Sequence, residues 1–277
     1  MKFSVITVTK NNKQGLIRTI ECVRNQTYKD IEHIIVDGGS IDGSPEILRS
    51  AQNDNLAKMQ NESKETLETG MTGNNHNQTT TNHTLLSITE PDNGIYDAIN
   101  KGIKLASGDV IGLLHSDDLY ANENVIALVE DAFTNFNTDS VYCNLIYVNK
   151  SGRLIRVWNS GDYTQKKMLN GWMPPHPTLF IRKEIFDKFG LYDTSYKIAA
   201  DYEMILRLFW KYKITAHYLP ITTYLMSIGG ASNKSLRNIL QKSKEDLSAL
   251  KLHNIPHPVI TLLSKNIRKL PQFLAYS

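Results

Sequence analysis

Two adjacent carboxylates, Asp117 and Asp118, follow a short apolar run at residues 110–114 after two intervening residues. An apolar run of this length, ended by polar residues, predicts a buried strand of an α/β sheet. Two neighbouring carboxylates repel each other, and burying either one is costly unless a cation or hydrogen-bond donors lie beside it. Ligands of open α/β sheets bind beyond the carboxyl ends of the strands. The pair therefore predicts a site for a divalent cation and a phosphorylated ligand.

Other acidic residues fall at the ends of predicted elements: Asp37, Asp92, Asp97 and Asp201. Each of them alone is equally consistent with a turn or a helix cap. Together they favour one site, because parallel strands bring their carboxyl ends to the same edge of a sheet. A nucleotide ligand would use a carboxylate for its base or ribose, a metal for its phosphates and a free carboxylate as general base.

The elements that must position these residues alternate between strand and helix. Apolar runs at residues 2–10 and 31–39 predict strands, and the periodic segments at 13–26 and 44–51 predict helices. This alternation predicts a parallel, right-handed, doubly wound sheet. The run at 152–158 predicts a strand that pairs back antiparallel, which makes the sheet mostly parallel with a small antiparallel extension.

A polar, low-complexity segment interrupts this pattern at residues 52–87 and predicts a mobile surface insertion. Residues 1–232 form the predicted catalytic domain, and residues 233–277 form a helical tail with basic residues. The tail interleaves apolar residues with Lys265, Arg268 and Lys269, a pattern that either a membrane-surface helix or a helix packed on the catalytic domain would show.

Composition limits the function classes. The chain has 277 residues, of which 41% are hydrophobic and 21% charged, and a net charge of +3. This charge is too small to predict nucleic-acid binding. Cys22 and Cys143 form neither a metal motif nor a disulfide framework and are predicted to be core residues. With no apolar run long enough for a signal peptide or a membrane span, the sequence predicts a cytoplasmic protein.

Four stretches carry a family resemblance: VITVTKNN, IIVDGGSIDGS, EPDNGIYDAINKGIKLASGDVIGLLHSDD and HPTLFIRKEIFDKFGLYDTSYKIAADYEMILRL. Their order and content resemble glycosyltransferase family 2, the inverting enzymes of the GT-A fold. The resemblance covers roughly residues 2–232 apart from the insertion. It implies a Rossmann-like catalytic domain that uses a UDP-sugar and Mn²⁺ or Mg²⁺.

The resemblance also implies roles for individual residues. Asp201 matches the catalytic base, and Asp117 and Asp118 match the metal-binding acids. His176 and Trp172 fall on the acceptor side. Contacts with the nucleotide-sugar are implied for Thr7, Thr9, Asp37, Asp42, Asn100, Lys101, Ser116, Asp117 and Gly230.

One position departs from the family pattern. His115 stands where the first acid of the Asp-x-Asp element is usual. A histidine cannot accept hydrogen bonds from two ribose hydroxyls as a carboxylate can. The ribose contact must therefore come from another residue, or the donor preference differs.

The resemblance implies transfer of glucose, galactose or an N-acetylated relative to a hydroxyl of a glycan, with a polyprenyl-diphosphate-linked sugar as the expected acceptor in surface-polysaccharide synthesis. Three other classes remain open. A non-catalytic nucleotide-sugar-binding protein would keep Asp37 and the metal acids but would not need Asp201. A nucleotide-dependent oxidoreductase would show G-x-G-x-x-G after the first strand, where this chain has TVTKNNKQG. A receiver-like phosphoacceptor domain would not need the second half of the chain.

Overall fold

Alternating strands and helices form the N-terminal half of the protein. The computed structural model describes residues 1–53, 83–149, 151–227, 236–269 and 271–274. In chain order the first elements are β1 (Phe3–Thr9), α1 (Lys13–Arg24), β2 (Ile31–Asp37), α2 (44–53), β3 (Thr84–Thr89), α3 (Ile95–Leu105) and β4 (Val110–Leu113).

The second half mixes short strands with helices and ends in a helical tail. Its elements are β5 (Leu119–Tyr120), α4 (Val125–Phe136), β6 (Ser140–Val148), β7 (Leu154–Trp158), α5 (Gln165–Leu169), a 3₁₀ turn (His176–Thr178), β8 (Phe180–Arg182), α6 (Lys183–Phe189), α7 (Ala200–Ile205), a π-helical continuation (Leu206–Lys211), β9 (Ala216–Ser227), α8 (Leu236–Leu252), α9 (Pro258–Ile267) and α10 (Pro271–Leu274).

The described strands form one sheet in the order β3-β2-β1-β4-β8-β6-β9-β5, with β7 paired to β6. Strands β3, β2, β1 and β4 are mutually parallel, so their carboxyl ends share one edge. Strand β8 runs antiparallel between β4 and β6, while β9 is parallel to β6. The predicted α/β sheet with parallel N-terminal strands is thereby confirmed, as is the antiparallel pairing of β7.

The sheet is buried on both faces at its centre, which explains the continuous apolar runs in its strands. All seven residues of β1 and all seven of β2 are buried. Ile6 and Val36 pack into the cluster on one face, and Phe3 and Val5 pack with α4 on the other. Cys143 lies in this second cluster, and Cys22 is half-buried beside it.

The structure shifts two predicted boundaries. Residues 84–87 of the predicted insertion belong to β3, where Thr84–Thr89 pair with β2, because register with the sheet overrides the polar composition. Helix α2 likewise includes residues 52–53, and residues 54–82 lie outside the described part of the chain. The helix predicted from Asp201 onward widens to a π-helical segment at Leu206–Lys211.

A buried carboxylate anchors the amino end of the sheet. Glu32 accepts hydrogen bonds from the hydroxyl of Ser4, from the backbone N–H (2.9 Å) of Gly108 and from both the hydroxyl (2.6 Å) and the backbone N–H of Ser107, and it pairs with Lys2 at 2.9 Å. Burial raises the pKa of Glu32, but these hydrogen bonds outweigh it and lower the pKa from 4.5 to about 2. The charged carboxylate therefore stabilises the fold.

Replacing Glu32 with Gln is expected to lower the free energy of unfolding at pH 7 by about 3 kcal/mol. Since the folded pKa is depressed, this contribution is complete above about pH 4.5 and is lost as the pH falls toward 2. Urea unfolding of both proteins at pH 7 and at pH 3 measures it, and a difference that does not shrink at pH 3 contradicts the assignment.

Candidate active site

The loop after β2 is held in shape by Asp37. Its buried carboxylate accepts hydrogen bonds from the hydroxyl and the backbone N–H of Ser40. The backbone N–H of Asn11 donates to the Ser40 hydroxyl at 2.7 Å, and the Asn11 side chain accepts from the N–H of Ile41 at 2.9 Å. Asn11 has a φ of 51°, in the left-handed region that asparagine tolerates. The loops after β1 and β2 are thus joined, and the Ile41 residue is left 92% exposed.

The two threonines of β1 differ in what they can offer a ligand. Thr7 is buried, and its hydroxyl donates to the carbonyl of Leu114 at 2.6 Å and lies 2.8 Å from Nε2 of His33. Burial lowers the pKa of His33 to about 3, so the neutral ring donates to Thr7 through Nε2. The Thr9 hydroxyl is buried at the strand end beside Asp37 and has no partner among the described residues. At this edge Thr9, rather than Thr7, keeps a polar group available.

Asp42 fixes the start of α1 to the loop that follows Asp37. Its carboxylate accepts hydrogen bonds from the Ser44 hydroxyl at 2.6 Å and from the backbone N–H of Lys13 at 2.8 Å. The bond from Ser44 is the main reason that the pKa of Asp42 is lowered. Asp42 therefore holds this loop in place through its carboxylate, beside the predicted base pocket.

The loop after β3 meets the loop after β2 at Gly38. A Cβ atom at Gly38 would lie 2.1 Å from Oδ2 of Asp92, so a larger residue there would displace the Asp92 side chain. Lys101 reaches back from α3, donating to the carbonyl of Pro91 and pairing with Glu90, each at 2.8 Å. The hydrogen bond to Glu90 is the main cause of the raised pKa of Lys101. Lys101 is thus a cation placed at the carboxyl edge of the sheet.

Asn100 has a structural task in this arrangement. Its side-chain amide donates to the Tyr192 carbonyl at 2.8 Å and accepts from the Tyr192 N–H at 3.0 Å. This pair of bonds ties α3 to the segment that leads to Asp201. The predicted contact of Asn100 with a nucleotide-sugar stays a prediction.

The loop after β4 turns Asp117 and Asp118 in different directions. The Asp117 side chain is 64% exposed, and its nearest ion-pair partner is Arg18 at 3.9 Å. The Asp118 carboxylate is buried and accepts from the backbone N–H of Ser227 at 3.1 Å and from the Tyr224 hydroxyl at 3.3 Å. Burial raises the pKa of Asp118 to about 7. Two hydrogen-bond donors, on Ser227 and Tyr224, therefore accommodate Asp118 in the fold.

The donors present at this loop fit a divalent cation held by one protein carboxylate. No group of three or more His, Cys, Asp or Glu in the described residues could hold a metal on its own. Mg²⁺ and Mn²⁺ nevertheless often take only one or two protein carboxylates and complete their shell with phosphate oxygens. Asp117 presents such a carboxylate at the carboxyl edge. That Asp118 is a second ligand stays a prediction, since each of its oxygens accepts one hydrogen bond and keeps a lone pair.

Neighbouring residues of the same loop are held by α1 and β9. The Asn12 amide donates to the carbonyl of Ser116 at 3.1 Å, and a Cβ at Gly15 would lie 2.0 Å from that carbonyl oxygen. The backbone N–H of His115 donates to the Tyr224 hydroxyl at 3.2 Å. Burial lowers the pKa of His115 to about 4, so its ring is neutral at pH 7. His115 thus brings no charge to the position where the family usually has an acid.

Asp201 lies at the start of α7, where α3 and α8 fix its position. Its Oδ1 is 3.2 Å from the Tyr96 hydroxyl and accepts the backbone N–H of Tyr202 at 2.8 Å. The Tyr96 hydroxyl also lies 2.8 Å from the carbonyl of Ile198. Glu245 of α8 accepts the backbone N–H of Ile198 at 2.8 Å and that of the next residue at 2.9 Å. The half-buried carboxylate is therefore oriented by α3 and α8 and keeps Oδ2 for another partner.

The predicted acceptor-side residues are both buried. Nε2 of His176 lies 2.7 Å from the Tyr192 hydroxyl, and burial lowers the pKa of His176 although the nearby Asp201 raises it. The Trp172 indole N–H donates to the carbonyl of Ser160 at 2.8 Å. His176 therefore lies near Asp201, whereas Trp172 lines a different cleft, beside α9.

Gly230 and its loop at residues 229–232 lie outside the described residues. Tyr96, Tyr192, Tyr224, Ser227 and Glu245 are site residues that sequence reasoning missed. Of these residues, Tyr96 could have been found from the sequence, because it lies four residues before Asn100 and therefore on the same face of α3. The others reach the site through contacts distant in sequence.

The comparisons with known proteins agree on one family. The family model described as "Glycosyl transferase family 2" matches residues 4–71 and 78–190. An uncharacterized glycosyltransferase of Mycobacterium tuberculosis is 34% identical over 206 residues, which cover 74% of this chain and 67% of the relative.

Two solved structures share the fold. Staphylococcus aureus TarS 1–349 in complex with UDP-GlcNAc has a TM-score of 0.62 and 14% identity, over 100% of this chain and 74% of that one. The mannosyltransferase PcManGT from Pyrobaculum calidifontis, in complex with GDP-Man and Mn²⁺, has a TM-score of 0.57 and 15% identity, over 99% of this chain and 73% of that one. At these identities the likeness describes the architecture.

Proposed function

This chain belongs to glycosyl transferase family 2, and from that premise we propose that it transfers a sugar from a UDP-sugar to a hydroxyl group of a glycan acceptor, with inversion at the anomeric carbon. The observation that carries the proposal is the Asp201 carboxylate. It is fixed by Tyr96 and by the backbone of α7, and its second oxygen is free to accept a proton. A protein that only bound a nucleotide-sugar would not need this arrangement.

In the proposed reaction Asp201 accepts the proton of the acceptor hydroxyl as that oxygen bonds to the anomeric carbon. The bond between the anomeric carbon and the diphosphate oxygen breaks on the opposite face, and the nucleoside diphosphate leaves with the electron pair. The transition state resembles the oxocarbenium ion of glycoside hydrolysis. The reaction needs no further reactant, because the acceptor proton ends on Asp201.

The donor is proposed to lie along the carboxyl edge of β1, β2 and β4. Thr9, Asp37 and Asp42 would line the pocket for the nucleotide base, and Lys101 would lie within reach of the donor at the same edge. Asp117 would hold Mn²⁺ or Mg²⁺ together with the donor phosphates, and the cation would neutralise the charge of the leaving diphosphate. The TarS and PcManGT complexes, with UDP-GlcNAc and with GDP-Man and Mn²⁺, support a nucleotide-sugar donor.

The proposal is tested by nucleotide release from UDP-N-acetylglucosamine, UDP-glucose, UDP-galactose and GDP-mannose, each with Mn²⁺, Mg²⁺ or EDTA. The reactions are run with and without a farnesyl-diphosphate-linked N-acetylglucosamine acceptor. We expect metal-dependent release from one UDP-sugar. Tight donor binding without release under any of these conditions would instead favour the binding protein, and release from GDP-mannose alone would overturn the UDP assignment.

The outer face of α9 supports a peripheral membrane contact, which we include in the proposal. None of the described helices is long and apolar enough to cross a membrane. Val259, Ile260, Leu263 and Ile267 are nevertheless 56–63% exposed on one side of α9, and Arg268 beside them is exposed too. An apolar stripe with a flanking cation matches the chemistry of an anionic lipid surface. The sequence pattern grouped Lys265 with Arg268 and Lys269 as the basic residues of a surface helix, but the Lys265 side chain is buried.

Replacing Leu263 and Ile267 together with Gln is expected to weaken binding to vesicles at least about tenfold, because each buried aliphatic side chain contributes about 1.5–3 kcal/mol. Sedimentation with phosphatidylglycerol vesicles measures the change, with phosphatidylcholine vesicles as the neutral comparison. Unchanged sedimentation of the double variant would remove α9 from the contact.

A further inference from the structure

A cleft of about 350 Å³ lies between the segment that follows β7 and the helices α9 and α10. Trp158, Trp172 and Met173 supply its apolar wall. Lys265, Arg268 and Lys269 supply three cations on the other side, and no described residue that lines it is acidic. We call this space the cationic cleft. Its lining suits an anion attached to a sugar or another flat or apolar group.

Lys265 is unusual because it is almost completely buried in the wall of the cationic cleft. Its side chain is 3% exposed, and Nζ lies 2.9 Å from Asp246 and 3.1 Å from the centre of the Tyr202 ring. The ammonium is enclosed by the Asp246 carboxylate and the Tyr202 ring, so it adds positive charge to the wall of the cleft and exposes no donor. Asp246 offsets the cost of burying this charge only in part, because it also pairs with Lys242 at 3.1 Å.

Titration of the lysines agrees with this geometry. Burial lowers the pKa of Lys265 to about 7, although the carboxylates of Asp246 and Asp201 both raise it. Burial also lowers the pKa of Lys269, and the neighbouring charges of Lys242 and Arg156 contribute to that decrease. A bound anion would reverse these effects, because it would stabilise the charged form of each lysine.

The cationic cleft adjoins the proposed catalytic base. The Tyr202 ring that contacts Lys265 belongs to the residue directly after Asp201. The Asp201 carboxylate is close enough to raise the pKa of both Lys265 and Lys269. Asp201 does not line the cleft, so a molecule with its anion against these lysines would have to reach past Tyr202 to meet the base.

We propose that the cationic cleft binds a phosphate group of the acceptor, so that the acceptor is a phosphate-bearing glycan or glycolipid. This inference rests on the proposed glycosyl transfer. The lining has three cations and no acidic residue, which is more positive charge than one carboxylate of a ligand would balance. A diphosphate or a phosphodiester carries enough negative charge and enough oxygen acceptors to match it. The donor phosphates are assigned by the proposed function to Lys101 and Asp117, neither of which lines the cleft.

The experiment measures binding by calorimetry with the donor site saturated by UDP and Mn²⁺. The probes are farnesyl-diphosphate-linked N-acetylglucosamine, a glycerol phosphate trimer and methyl N-acetylglucosaminide. The first two distinguish a lipid diphosphate from a phosphodiester polymer, and the third lacks phosphate. We expect one phosphate probe to bind and the methyl glycoside to bind at least about tenfold more weakly.

Replacing Lys269 with Gln and Arg268 with Gln is expected to weaken binding of that phosphate probe by about tenfold each. Lys251→Gln is the matched control, because Lys251 is exposed on α8 and does not line the cleft. Lys265→Met tests the buried cation, with its melting temperature recorded so that loss of binding is not confused with unfolding. UDP affinity is expected to stay unchanged in all four variants.

Two results would overturn the inference. One is that neither phosphate probe binds the UDP-loaded protein, and the other is that Lys269→Gln, Arg268→Gln and Lys251→Gln have equal effects. Failure of UDP to bind would instead contradict the proposed function, and probe binding would then be measured on the protein without UDP. The two proposals can therefore fail separately.

Discussion

Replacing Asp201 with Asn is expected to lower kcat by about 10²–10⁴-fold, the usual contribution of a general base. Asparagine keeps the shape of the side chain and can still accept a hydrogen bond through its amide oxygen, as Oδ1 now does with Tyr96. The amide nitrogen that replaces the second oxygen cannot take up the acceptor proton. The dissociation constant of the UDP-sugar should stay unchanged, because the base contacts the acceptor. Steady-state kinetics and donor calorimetry on the same preparation separate the two quantities.

Asp187→Asn is the matched control for this change. Asp187 is an exposed carboxylate of α6 that pairs with Lys183, and it lies in no part of the proposed site. Tyr96→Phe provides an intermediate case, since it removes the hydroxyl next to Asp201 and leaves the carboxylate, and kcat should fall by about tenfold. Full turnover by Asp201→Asn would exclude Asp201 as the base.

Replacing Asp117 with Asn is expected to lower kcat/KM by at least about 100-fold, because a cation that stabilises the leaving group contributes several kcal/mol. The second readout does not depend on activity. UDP binding to the wild-type protein should strengthen when Mn²⁺ is added, and this response should disappear in Asp117→Asn. The side chain is 64% exposed, so the substitution should leave the fold intact.

Asp118→Asn distinguishes the two neighbouring acids. Asp118 accepts hydrogen bonds from Ser227 and Tyr224, and an asparagine oxygen can accept them as well. The Mn²⁺ response of UDP binding should therefore persist in this variant. Its disappearance in Asp118→Asn but not in Asp117→Asn would reverse the assignment of the ligand.

Much of the architecture could be predicted because it depends on local patterns. The apolar runs of β1, β2 and β4 and the periodic segments of α1 and α3 specify a parallel sheet with short connections. Chain direction then places Asp37 and the residues after β4 at one edge. No tertiary knowledge is needed for this step, because all parallel strands end on the same side.

Local composition predicts the wrong secondary structure where contacts between residues distant in sequence compete with it. Residues 84–87 look like part of a polar insertion, but pairing with β2 makes them a strand. The segment after Asp201 has the periodicity of an ordinary helix, yet it widens at Leu206–Lys211. For the strand, pairing with β2 outweighs a weak local preference.

The sequence by itself determined the family, the fold class and the carboxylates that lie at the edge of the sheet, because these follow from motifs, periodicity and chain direction. Only the tertiary structure decided how those carboxylates are used. Asp117 faces solvent and Asp118 faces Tyr224 because β9 brings its donors to one side of the turn. Lys265 is buried against Asp246 because α8 packs on α9. The direction of a side chain depends on neighbours that are distant in sequence, and no local pattern encodes them.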